Sequence, residues 1–170
     1  MDIRKYFIAA AMAVAAMPAT AAPVPATTDA GGHALILVPL TLTKIDDLDF
    51  GTVTSSGTSG VVVINASTGA RTLAGGLIGS PSDVGQRAYF GGAGSPSQQV
   101  IVSVTAPIEL VNSNNDKIPV LALTVDGSPV RTVDPVTRTF FVGVGGIIMI
   151  NSNQPDGDYN ATFTVTANYL

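Results

Sequence analysis

The clearest pattern of hydrophobic and polar positions in this sequence is an alternation over residues 157–170. From position 159 the odd positions are apolar or aromatic, and the even positions up to 168 are Thr or Asn. Successive side chains of a β-strand point to opposite faces, so the stretch, which opens at Gly157, predicts a closing strand with one buried and one wet face. The predicted buried face consists of Tyr159, Ala161, Phe163, Val165, Ala167 and Tyr169.

A second alternation, over residues 33–45, predicts a long strand near the start of the domain. Pro39 lies inside it and has no N–H group for a ladder hydrogen bond. The proline therefore indicates an edge strand, a bulge or a switch between two sheets. The apolar face of this strand consists of Ile36, Val38, Leu40 and Leu42.

Between these stretches, short apolar segments alternate with turns rich in Gly, Pro, Ser, Asn and Asp. Leu48 and Phe50 predict a buried pair, closed by a turn glycine at Gly51. The pair Gly145-Gly146 predicts either a hairpin or one strand with a glycine bulge. In all, about eight to ten short strands at regular spacing predict an all-β fold of the β-sandwich kind. The intervening strands are predicted at residues 61–65, 71–77, 88–90, 98–106, 108–111, 118–125, 130–133 and 139–150.

The first 21 residues predict a secretory signal peptide rather than part of the fold. Arg4 and Lys5 precede an apolar run, and residues 19–21 (Ala-Thr-Ala) fit the small-residue cleavage pattern. Residues 22–32 predict a flexible arm, and residues 33–170 a single β-sandwich domain. The mature chain is therefore expected to be exported, without a membrane span, to the periplasm and then the cell surface or the medium.

Composition narrows the classes of function. Cysteine is absent, so an exported domain must be held together by its core or its partners rather than by disulfides. The full sequence has 12 acidic and 8 basic residues, and the predicted signal peptide contains Asp2, Arg4 and Lys5. The mature chain therefore has eleven acidic and six basic residues. This mild acidity argues against binding to nucleic acid or anionic membranes, both of which require basic patches.

The residue types of enzymatic catalysis are scarce. His33 is the only histidine and Glu109 the only glutamate, and neither has an evident catalytic partner. Asp46, Asp47 and Asp49 could offer oxygen ligands to Ca²⁺, but their irregular spacing favours a charged edge that discourages strand pairing. The sequence therefore predicts no enzyme, no cofactor and no metal site.

The closing segment resembles the C-terminal motif of chaperone–usher pilus subunits. Gly157 stands fourteen residues from the end, an alternating apolar strand follows, and Tyr169 is penultimate. Leu-Asp-Phe-Gly at residues 48–51 resembles a motif of spore-coat-U-like and archaic fimbrial subunits. Over nearly the whole mature chain, the order of the motifs at residues 39–44, 48–51, 88–90, 143–150 and 154–169 is similar to a group of exported bacterial proteins of unknown function related to those fimbrial subunits.

This resemblance implies an immunoglobulin-like β-sandwich that lacks one strand. A periplasmic chaperone, and later the N-terminal extension of a neighbouring subunit, would fill the gap by β-strand addition, giving a homo-polymer or mixed fimbrium. Residues 33–42 could serve as such a donor or as the first strand of their own domain, and the second use is favoured. The implied assembly residues are Gly157, Tyr159, Phe163, Val165, Tyr169, Ile36, Val38, Leu40 and Leu42.

Two other functions compete with this structural or adhesive role. A monomeric, self-complete exported domain could bind a carbohydrate or matrix ligand through loops at residues 55–60 or 112–116. A secreted hydrolase is the least favoured, because residues for general acid–base chemistry are nearly absent.

Overall fold

Every regular element in residues 27–170, the part of the chain that the computed structural model describes, is a β-strand. Ile36–Leu170 form one compact unit, whereas residues 27–35 belong to another and are exposed and without strands. The predicted signal peptide at residues 1–21 lies outside the described residues, as do the first five residues of the predicted arm. Residues 27–170 contain no helix with the length and apolar character needed to cross a membrane.

The prediction of an all-β fold is confirmed, with twelve strands in the described residues rather than eight to ten. The strands are β1 (Thr41–Asp46), β2 (Val53–Thr54), β3 (Gly60–Ile64), β4 (Arg71–Gly75), β5 (Ile78–Gly79), β6 (Ala88–Ala93), β7 (Gln99–Thr105), β8 (Glu109–Val111), β9 (Lys117–Val125), β10 (Val130–Thr132), β11 (Thr139–Ile150) and β12 (Thr164–Tyr169).

The strands form a large sheet, a small sheet and a ribbon, all with antiparallel pairing. The large sheet contains β1, β3, β4, β6, β8, β9 and β11. The small sheet has the order β10-β7-β12, and β2 pairs with β5 as the ribbon. β1 and β12 each have one partner within the described residues, β6 and β7 respectively, so each is an edge strand.

β11 is the central strand of the large sheet. Val144 pairs with Ala88 of β6 and also with Val125 of β9, so β6 and β9 lie on opposite sides of β11. Gly146 likewise pairs with both β3 and β9. Consequently β6 and β3 follow one another along the same side of β11, which bridges two halves of the large sheet.

Glycines in β11 allow this close packing. A Cβ atom at Gly143 or Gly145 would overlap the carbonyl oxygens of Ala66 and Ile64, respectively. The prediction of a hairpin at residues 145–146 is wrong, because the chain runs straight through as one strand. The alternative prediction, one strand with a glycine bulge, is closer: the pairing of β11 with β9 shifts register between Ile147 and Ile148, just after the two glycines.

Two hydrophobic clusters form the core. The first joins the large and small sheets and holds the first half of β11; its buried residues are Ala88, Phe90, Val100, Val102, Val133, Phe140, Val142 and Val144. The second lies along the other half of β11, with Val62, Ile118, Ile148 and Ile150 buried. Burial of such side chains contributes roughly 1.5 to 3 kcal/mol each, so these clusters supply most of the driving force for folding.

The long first strand predicted at residues 33–45 is wrong over its first eight residues. β1 begins at Thr41, and residues 33–40 carry no strand. The N–H group of Val38 donates to the Ser95 hydroxyl instead of to a strand, and Pro39 has no N–H to donate. These two residues account for the late start of the ladder.

Two other boundaries differ from the prediction. β6 continues through Gly91-Gly92 to Ala93, because both glycines lie opposite β1 and β11 residues in regular register. β12 begins at Thr164 rather than at Tyr159, and before it only Asn160 forms a bridge, to Val111. From Thr164 onward the predicted alternation of two faces is confirmed, although the face predicted to be buried is only half-buried.

Candidate functional site

The described fold contains an open groove of about 1180 Å³. One wall is the segment at residues 47–55, which follows β1, and the other is the segment at residues 154–163, which precedes β12. We call this space the groove, residues 47–55 its first wall and residues 154–163 its second wall.

The floor of the groove is apolar. It is formed by side chains of β9 and β11, together with Phe90 of β6. Most of them belong to the hydrophobic clusters, so an apolar occupant would extend the core rather than lie on a polar surface. The floor residues are Phe90, Ile118, Val120, Leu123, Ile148 and Ile150.

The first wall is shaped by the Leu-Asp-Phe-Gly segment. Leu48 and Phe50 are half-buried, and both line the groove, which partly confirms the predicted buried pair. Gly51 has φ of 68°, a left-handed conformation that favours glycine, and its N–H group donates to the Asp49 carboxylate at 2.8 Å. The predicted turn glycine is therefore confirmed.

The second wall is held by Tyr159. Its hydroxyl group donates to the carbonyl of Pro155 at 2.7 Å and accepts from the Gln154 amide at 3.0 Å. The two walls meet at one end of the groove, where the Ser55 hydroxyl donates to the Gln154 carbonyl at 3.1 Å. Both walls are therefore fixed in place at that end.

Outside the groove lining, Tyr169 at the end of β12 is bonded to the segment that precedes β1. The N–H group of Ser95 donates to the Tyr169 hydroxyl at 2.6 Å, and that hydroxyl donates to the carbonyl of Val38 at 2.9 Å. The N–H group of Val38 in turn donates to the Ser95 hydroxyl at 2.8 Å. These three bonds form a ring that ties the segment before β1 to the end of β12.

Within the described residues β12 pairs only with β7, so its other edge is unpaired. The N–H group of Leu170 donates to the Gln99 carbonyl of the β7 strand region at 3.0 Å. Hydrogen-bonded positions alternate along an antiparallel ladder, so Thr164, Thr166 and Asn168 direct their main-chain groups toward β7. The main-chain groups of Val165, Ala167 and Tyr169 consequently point to the free edge, the arrangement that accepts an added strand.

The residues of the predicted closing-strand site have separate roles. Gly157 has φ of 148° and lies against the buried Asn112, whose amide nitrogen would be 3.1 Å from an added Cβ. Phe163 lines the groove and packs edge-to-face on Phe90, with ring centroids 6.2 Å apart. Val165 and Tyr169 pack against the first cluster. The structure thus brings Tyr159 and Phe163 into the groove, whereas Val165 and Tyr169 lie outside its lining.

The N-terminal half of the predicted site divides in two. Leu40 and Leu42 are half-buried and pack against the first cluster of their own chain. Ile36 and Val38 are 91% and 46% exposed, so the predicted single apolar face does not form. From Val38 onward this stretch is bonded into its own fold.

Carboxylates line the groove in excess of cations. Asp47, Asp49, Asp83, Asp156 and Asp158 all border it, whereas Lys44 is the one cation among its lining residues in the described chain. Lys44 is already paired with Asp47 at 2.6 Å. The hydrogen bond from the Thr52 hydroxyl, 2.6 Å from the carboxylate, holds the pKa of Asp83 below its usual value.

Sequence reasoning missed the floor of the groove, and it missed that Asp47 and Asp49 of the predicted charged edge border the same groove as Asp156 and Asp158. The alternation of β12 and the Leu-Asp-Phe-Gly motif were the only local signals, and both mark walls. The floor forms because β9 pairs with β11, although β10 lies between them in the sequence. No local pattern in the sequence encodes that pairing.

The other candidate residues serve local structure. Glu109 forms an ion pair with Lys117 at 2.6 Å, and His33 lies exposed in residues 27–35. In the loop at residues 112–116, the Asn112 side-chain oxygen accepts from the N–H groups of Asn114 and Asp116.

Comparison with known proteins gives a family and nothing finer. The sequence profile of one family, described as a domain of unknown function (DUF4402), matches residues 40–169. Neither the curated proteins nor the solved structures contain a significant match. The matched range extends from the residue before β1 to the last residue of β12, and so includes both walls and the floor of the groove. The chain therefore belongs to the DUF4402 family of domains of unknown function.

Proposed function

We propose that this domain is a non-catalytic structural or adhesive module of fimbrial-subunit type, which accepts an extended segment of a partner by β-strand complementation. The observation that carries the proposal is the free edge of β12, a strand that begins one residue after Phe163 of the groove lining. Main-chain hydrogen bonds to that edge would give affinity, and alternate side chains entering the groove would fix the register.

An incomplete β-sandwich accounts for the free edge of β12. The first hydrophobic cluster already takes residues from both the large and the small sheet. The small sheet ends at β12 and the large sheet at β1, and the Tyr169–Val38 hydrogen bond joins the end of β12 to the segment before β1. A strand added along β12 would cover Phe163 and remove an exposed edge that otherwise favours aggregation.

The cellular setting proposed with this role is export followed by assembly at the cell surface. The signal-peptide pattern of residues 1–21 supports export. The partners that suit an open edge are a periplasmic chaperone and neighbouring subunits, which need supply only an extended segment.

One observation favours a second candidate, a monomeric domain that is complete by itself and binds a carbohydrate or matrix ligand. Val38 has both its N–H and its carbonyl group bonded within its own chain, and Leu40 and Leu42 fill their own core. The stretch that could act as a donor strand therefore already makes most of its contacts within its own domain.

Amide hydrogen exchange on the purified protein separates the two candidates. A peptide of about ten residues with alternating Val and Thr is long enough to follow β12. Its binding should slow exchange at Val165, Ala167 and Tyr169, whose N–H groups point outward, and leave Thr166 and Asn168 nearly unchanged. No added protection at those three amides, together with a single monomer peak on a sizing column before and after heating, would refute strand complementation.

A further inference from the structure

The border of the groove carries an uncompensated negative charge on both sides. Within the described residues, Asp49 on the first wall and Asp156 and Asp158 on the second form no ion pair. Lys44, the cation of the lining, is bound to Asp47. An occupant of the groove therefore meets apolar side chains below and carboxylates on either side.

The chain's own alternating stretch does not complement this charge. Residues 27–43 contain Asp29 and no lysine or arginine. If that stretch of another copy lay in the groove, its lack of lysine and arginine would leave the carboxylates without partners. Its Val38 would also have to give up the bonds to Ser95 and Tyr169.

We infer that the groove selects an extended segment of a different protein, in which lysine or arginine flanks an alternating apolar stretch. This inference rests on the proposed function and names the chemistry of its partner. The apolar residues would lie over the half-buried Val120 and Leu123 of the floor, and the flanking cations would reach Asp156 and Asp158 on the second wall. Charges at the border would act on the rate of encounter and on selectivity, whereas the apolar floor would supply most of the affinity.

Fluorescence anisotropy with labelled peptides tests this selection. Three peptides share one alternating Val-Thr core and end in pairs of lysine, serine or glutamate; a fourth has the sequence of residues 33–42. The lysine-flanked peptide should bind the purified protein about five- to tenfold more tightly than the serine-flanked one at low salt. The difference should nearly vanish at about 0.5 M salt, because exposed charges are then screened.

A matched pair of variants assigns the effect to the border. The double variant Asp156→Asn/Asp158→Asn should lose most of the preference for lysine while still binding the serine-flanked peptide. Asp46→Asn removes an exposed charge in β1 that does not line the groove, and should keep the preference.

The outcomes separate this inference from the proposed function. Equal binding of all flanked peptides, or an unchanged lysine preference in the double variant, overturns the charge selection and leaves strand complementation standing. Tightest binding of the peptide with residues 33–42 identifies a second copy as the occupant and also overturns it. If no peptide binds, both proposals fall together.

Discussion

The hydroxyl group of Tyr169 donates a hydrogen bond of 2.9 Å to the carbonyl of Val38, 131 residues earlier in the chain. The same hydroxyl accepts from the N–H group of the buried Ser95. The bond joins the segment before one edge strand to the end of the other. It therefore ties the last strand of the small sheet to the segment that leads into the large sheet.

Replacement of this tyrosine tests how much the bond stabilises the fold. Tyr169→Phe keeps the ring in the first cluster but leaves the buried N–H group of Ser95 without a partner. An unsatisfied buried donor costs about 1 to 3 kcal/mol, so the free energy of unfolding measured in urea should fall by that amount. Tyr89→Phe is the control, because the Tyr89 hydroxyl makes no hydrogen bond within residues 27–170. Equal losses in the two variants would count against this role of the bond.

Gly157 is predicted to be required for its backbone conformation. Its φ of 148° is disfavoured for residues with a Cβ, and the added atom would lie 3.1 Å from the Asn112 amide nitrogen. Gly157→Ala should therefore lower the free energy of unfolding by about 1 to 3 kcal/mol. Gly57→Ala, at an exposed loop glycine with no atom within 4 Å of the added Cβ, should leave it nearly unchanged. Comparable thermal melting curves for both variants would contradict this account.

Part of this fold follows from local pattern and part does not. β12 was predictable because one of its faces is buried and the other is wet, which imposes a period of two. The same period at Ile36 and Val38 gave a wrong prediction, since the N–H group of Val38 bonds to Ser95, 57 residues away. Alternating hydrophobic residues are compatible with a strand, but a strand forms only where a neighbouring strand is available for its backbone hydrogen bonds.

The groove was predictable only at its walls. Leu48 and Phe50 carry a local motif, and Phe163 belongs to the closing alternation. Ile118 and Ile148 of the floor come together through the pairing of β9 with β11, which no local pattern specifies. The cluster of Asp47 and Asp49 was visible in the sequence, but its place on the same groove as Asp158 was not, because Asp49 and Asp158 lie more than a hundred residues apart.

A titration of Asp83 tests the contact between the first wall and the loop that follows β5. The hydrogen bond from the Thr52 hydroxyl is the main reason that the pKa of Asp83 lies below its usual 3.8. Desolvation opposes this lowering, and weaker bonds from backbone N–H groups add to it. Thr52→Val should raise this pKa toward 3.8, as followed by NMR of the carboxyl carbon. Asp134 serves as internal control, because the N–H groups of Thr137 and Val136 lower its pKa far from the substitution.

The sign of the linked stability change follows from the direction of this shift. Because the folded state holds the pKa of Asp83 below its usual 3.8, the carboxylate stabilises the fold at pH values above 3.8. That contribution is lost as the pH falls through the folded pKa. Asp83→Asn should therefore be less stable than wild type near neutral pH, with the difference disappearing in acid. A difference that stays constant down to the lowest pH would contradict the linkage.

Opposite faces at the start of β12 give the sharpest matched pair of substitutions. Phe163 packs on Phe90 and lines the groove, whereas Thr164 is exposed. Phe163→Asp removes the aromatic contact and brings a charge to an apolar site, so it should cost about 3 kcal/mol or more and abolish soluble protein. Thr164→Asp should change the free energy of unfolding by less than about 0.5 kcal/mol. Soluble yield and urea unfolding measure both, and a well-folded Phe163→Asp variant would show that this residue does not anchor the closing strand.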